Sequence, residues 1–74
     1  MNVENAIAHA FKYLDGWKHQ HEAAQKEPNL LERVEMLHQA GNVYNRYEGA
    51  KSTLIELGVP REIFVEEEKK VFSK

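Results

Sequence analysis

The apolar positions of the chain fall into three runs, separated by its two prolines, Pro28 and Pro60. In the first run, Val3, Ile7, Ala10, Leu14, Trp17, His21 and Ala24 follow one another at alternating steps of four and three. That spacing keeps side chains on one face of an α-helix. Ala6, Phe11 and Tyr13 widen the stripe to the breadth of a core-facing helix. Asn2 is placed to cap the start, and Glu4 sits where the helix dipole favours an anion. The helix should stop before Pro28, because a proline disfavours α geometry in the residue preceding it.

The second run opens on Asn29-Leu30-Leu31-Glu32, in which an Asn followed three residues later by Glu resembles a capping box. Leu30, Val34 and Leu37 share one face. The seam then moves by one residue to Met36, Ala40, Val43, Tyr47, Ala50, Leu54 and Leu57, with Tyr44 and Ile55 beside it. Gly58 suits the left-handed position after a helix end, and Pro60 follows closely. The third run starts at Pro60, a residue favoured at the first helical position. Ile63, Phe64, Val71 and Phe72 can share one side, with Glu66 and Lys70 as an i,i+4 ion pair on the solvent side. Alternation at period two is absent, so no strand is predicted.

These patterns predict an all-α fold. An antiparallel hairpin of two long helices, about 3–25 and 30–57, is followed by a short C-terminal helix, about 60–72. Residues 1–74 form a single domain, since a chain of 74 residues leaves room for one. A short turn near Pro28 makes the long helices neighbours and brings Trp17 level with His38 and Leu14 with Gly41. Gly costs about 1 kcal/mol relative to Ala inside a helix. A missing side chain at Gly41 would offset that cost by leaving room for the Trp17 indole or by letting the two backbones approach closely.

Size adds a constraint. So short a chain buries only about 60% of the surface its unfolded form exposes. Small domains usually compensate with disulfides, a metal or oligomerisation. The sequence contains no Cys, which removes disulfides and thiolate metal sites. A homodimer, with two hairpins in a four-helix arrangement and the C-terminal helix covering one end or exchanging between subunits, is the expected source of further core.

Charge narrows the function. Ten Lys and Arg face twelve Asp and Glu, for a formal net charge of −2. They are spread evenly: residues 1–28 and 29–58 each carry three basic and four acidic side chains, and residues 59–74 carry four of each. No basic stripe is present to neutralise a phosphate backbone, so nucleic-acid binding is not expected. No apolar run approaches membrane-spanning length, and the N-terminus lacks the basic and apolar regions of a signal peptide. A cytoplasmic protein with no membrane partner is expected.

Few residues suggest chemistry. His19, His21 and Glu22 lie near the hairpin turn, as do Glu35 and His38, whose Glu-x-x-His spacing is used by di-iron helical bundles. A metal site built from His21, Glu35 and His38 is thus the alternative reading. Against it, His19 and His21 are about 200° apart around a helix, and no bridging Glu occupies a core position of the first helix. Gly49-Ala50-Lys51-Ser52-Thr53 is superficially like a phosphate-binding loop. Its Gly and Lys spacing is wrong, and mid-helix amides are already bonded. Ser52, Ser73 and Thr53 have no His and carboxylate in plausible range, so no enzyme activity and no cofactor are expected.

The aromatic residues carry the functional expectation. Phe11, Trp17 and Tyr47 fall on the seams and suit a core, while Tyr13 and Tyr44 lie at stripe edges. Tyr13, Trp17, Tyr44, Tyr47, Phe64 and Phe72 form the candidate set for a dimer or partner contact. The sequence thus describes a small helical protein–protein interaction or regulatory protein. Its size and style are those of a bacterial or phage accessory protein.

Overall fold

A computed structural model describes residues 2–73. Three helices account for most of them: α1 over Val3–Lys26, α2 over Leu30–Glu56 and α3 over Arg61–Phe72. Among the described residues there is no strand. The fold class and the three helical spans match the pattern of the sequence to within a residue at each boundary.

The helix ends form for the local reasons expected, with two departures. The Asn2 side chain accepts a hydrogen bond from the Asn5 N–H at 3.3 Å, and Asn29 accepts from the Glu32 N–H at 3.1 Å. The capping box at Asn29 is only half made, because the Asn29 N–H donates to the Glu27 carboxylate at 3.1 Å rather than to Glu32. Glu27, the residue before Pro28, has left the helix for extended backbone. Pro60 precedes α3 with extended backbone instead of opening it as its first helical residue.

The C-terminus of α2 is a Schellman motif. The Gly58 N–H donates to the Ile55 carbonyl and the Val59 N–H to the Leu54 carbonyl, both at 3.0 Å. Gly58 adopts φ of 106°, a conformation that strains any residue with a Cβ. The turn also seats Val59 and Leu54 in one buried cluster. This is how the chain reverses direction into α3.

The core lies between the long helices and beneath α3. Ala10 and Leu14 of α1, Tyr47 and Leu54 of α2, Val59 and Phe64 form it. Phe11 meets Phe64 edge-on at 5.9 Å, and Trp17 meets Phe72 at 5.2 Å, so α3 runs parallel to α1. At 1.5 Å per residue the 24 and 27 residues of the hairpin helices reach about 36 and 40 Å, whereas the 12 residues of α3 reach about 18 Å. The third helix covers the half of the hairpin distal to the turn and ends beside Trp17.

Candidate functional site

Where α3 ends, a cluster of aromatic side chains is left at the boundary between covered and open hairpin. Trp17 is its centre. The His21 ring stacks on it at 5.1 Å and 21°, Tyr44 lies at 5.4 Å, and Phe72 closes one side. Tyr44 in turn contacts Tyr47 at 5.8 Å. Burial, then a hydrogen bond to Glu48, raises the Tyr44 phenol above its ordinary pKa.

The six aromatic candidates therefore part company. Trp17, Tyr44 and Phe72 come together at this boundary, and Phe72 remains half exposed. Tyr13 packs apart from them, edge-on to His9 at 5.1 Å. Tyr47 and Phe64 are fully buried within the chain. They are core residues and present no surface to a partner, because the fold of α3 over the hairpin consumes them.

Beneath α3 lies a polar cluster that the sequence did not single out. The Tyr47 hydroxyl donates to Glu68 Oε2 at 2.5 Å, and Lys51 Nζ donates to the same oxygen at 2.8 Å. Burial alone would raise the Glu68 pKa, but the hydrogen bonds from Lys51 and Tyr47 outweigh it and hold the carboxyl below its usual range. Burial and donation to Glu68 push the Tyr47 phenol well above its ordinary value. Lys51 was the residue that gave its neighbourhood a superficial likeness to a phosphate loop. It is spent on Glu68, and Thr53 Oγ1 donates to the Gly49 carbonyl within the helix. The expected ion pair of Glu66 with Lys70 is not made; Lys51–Glu68 is formed instead, joining α2 to α3.

The alternative metal set is not assembled. Among the described residues no group of three or more His, Asp or Glu is placed to hold a metal ion. His21 is turned to Trp17 and shares a 3.1 Å hydrogen bond with Gln25, and His19 bonds the Asp15 carbonyl at 2.9 Å. His38 is exposed on the opposite helix. Glu35 and His38 lie one turn apart on α2, but His21 does not join them.

The side chains that sequence reasoning passed over are four aliphatic ones on the first half of α2. Leu30 is 68% exposed, Leu31 81%, Val34 57% and Leu37 40%. Three of them, Leu30, Val34 and Leu37, were visible as a face of their own before the apparent seam shift at Met36. The helix is continuous through that point, so the seam does not move. Instead α2 carries two apolar stripes, about 120° apart on the helical wheel. One, through Ala40, Tyr47 and Leu54, points into the core, and the other points out. Projecting both sets onto a single wheel would have separated them.

Gly41 continues the outward stripe. It borders an open hollow together with Trp17, Tyr44 and Phe72. No atom lies within 4 Å of where its Cβ would stand. The expected filling of that space by the Trp17 indole or by a closely approaching backbone is therefore absent, and the glycine leaves open space on the helix surface. Gly16 is different, since a Cβ there would touch the Val43 side chain at 3.7 Å.

These features define a class: an all-α protein made of a helical hairpin half covered by a third helix. Comparison with family models, curated proteins and solved structures returned no match. No helix among the described residues is long and apolar enough to cross a membrane.

Proposed function

We propose that this chain is a small helical interaction or regulatory protein that binds a partner protein and acts as a homodimer. The observation that carries this reading is the outward stripe of Leu30, Leu31, Val34 and Leu37. Scattered exposed apolar residues are ordinary on a protein surface, whereas a contiguous row of large aliphatic side chains marks a contact. The hollows of the surface are open and none encloses a small substrate. The reading needs no metal, and the His21, Glu35 and His38 set has no geometry to recommend it.

Light scattering coupled to size exclusion tests the first half of the proposal. The expected mass is about twice the 8.6 kDa of the chain. A particle of single-chain mass at every concentration up to the millimolar range overturns the homodimer. Affinity purification from the native host tests the second half. Recovery of the same proteins as an unrelated helical bait would remove the partner.

A further inference from the structure

We infer that the outward stripe of α2 is the dimer contact, and that what covers it is the same stripe of a second copy, packed antiparallel about a two-fold axis. The inference rests on the homodimer proposed above and assigns its surface.

Three observations choose a second copy as the occupant. The first is spacing. Leu30, Val34, Leu37 and Gly41 follow one another at steps of four, three and four, a series that reads the same in both directions. Reversed against itself, it places Leu30 over Gly41 of the second copy and Val34 beside Leu37. The open space at Gly41 then receives a leucine side chain, twice by symmetry. A two-fold contact requires this kind of self-complementarity.

The second is charge. The row contains no Asp, Glu, Lys or Arg and passes through Tyr44 before meeting its first charge at Glu48. A charge near the axis of an isologous contact lies close to its own copy, and like charges brought together oppose association.

The third is area. The chain exposes 5470 Å². A compact monomer of its mass exposes about 4,700 Å². The excess is what an elongated hairpin, covered over only half its length, exposes beyond a compact chain. Its radius of gyration, 13.7 Å, exceeds the roughly 11 Å of a compact chain of this length. Side-by-side pairing of two such rods restores the compactness that one lacks.

Sedimentation velocity on the full chain and on Val34→Glu and Leu37→Glu tests the assignment. Each variant should weaken dimerisation by about thirtyfold or more, as loss of a central contact does. Both side chains are exposed in the single chain, so helicity by circular dichroism should be unchanged. Leu57→Glu, at a still more exposed position at the far end, should dimerise like the parent. Val34→Cys and Leu37→Cys chains each carry the only thiol among their described residues, and mild oxidation of a mixture should link one to the other as a covalent dimer. Undiminished dimerisation of both Glu variants overturns the surface while leaving the homodimer intact. So does a dimer dissolved by Leu57→Glu alone. A parent chain that stays monomeric overturns both.

Discussion

The half of the hairpin distal to its turn and the half next to the turn are written in similar residues but are held together differently. In the distal half, Leu14, Tyr47 and Leu54 are buried under α3 and its Phe64, with Tyr47 and Lys51 tied to Glu68 across the interface. In the proximal half, the fully buried side chains are the small ones of Ala24 and Ala40. Larger residues there, from Leu30 to Leu37, face outward, and the buried Gln20 Oε1 has no donor among the described residues. The difference follows from the 12-residue length of α3, which ends beside Trp17 before reaching the turn. A leucine at helical spacing is core only where another element arrives to cover it. The distal half therefore holds the fold, and the proximal half keeps large apolar side chains uncovered.

Substitutions can break this contrast, starting with the largest expected effect. Phe64→Ala should destabilise the chain by about 3–5 kcal/mol, because it removes a fully buried ring that meets Phe11 and joins α3 to the hairpin. Thermal or urea unfolding measures the loss, and an effect below about 1 kcal/mol would deny α3 its place in the core. Tyr47→Phe should cost about 1–2 kcal/mol, since Glu68 loses one of its two donors.

The same cluster sets a pH dependence at both ends of the scale. The folded Glu68 pKa lies below its unfolded value, so its contribution is present above the unfolded value and is lost as pH falls through the folded one. The folded Tyr47 pKa lies above its unfolded value, so its contribution is full below that value and declines as pH rises beyond it. Stability measured against pH should fall on both sides of neutrality, and Glu68→Gln should flatten the acid limb. An unchanged acid limb in that variant would mean that other carboxylates govern it.

In the proximal half the effects should be small or of opposite sign. Gly41→Ala should stabilise the isolated chain by about 1 kcal/mol, because the helix gains propensity and the new Cβ meets no atom within 4 Å. Leu31→Gln, at 81% exposure, should change stability by less than about 0.5 kcal/mol when the protein is dilute enough to be monomeric. A large loss from Leu31→Gln under those conditions would erase the distinction between the two halves.

Much of this architecture was legible from local rules. Pro28 ends α1 by forcing Glu27 out of helical geometry, Asn2 and Asn29 cap the helices behind them, and Gly58 ends α2 in the left-handed turn. Such signals act over a few residues, through sterics and orphan backbone groups, so sequence carries them directly. The aromatic candidates were half legible. Trp17, Tyr44 and Phe72 gather at one boundary, whereas Tyr47 and Phe64 vanish into the core. Periodicity shows that a residue belongs to an apolar face, but gives no account of what lies opposite.

The sequence by itself determined three helices, their limits and the hairpin that joins the first two, because caps, prolines and period 3.6 are local properties. Tertiary structure alone decided which of the two stripes on α2 faces inward, that Lys51 pairs with Glu68 seventeen residues away, and that Gly41 stands open. Those outcomes depend on where α3 crosses the hairpin and how far it reaches, quantities set by long-range packing that no window of neighbouring residues contains.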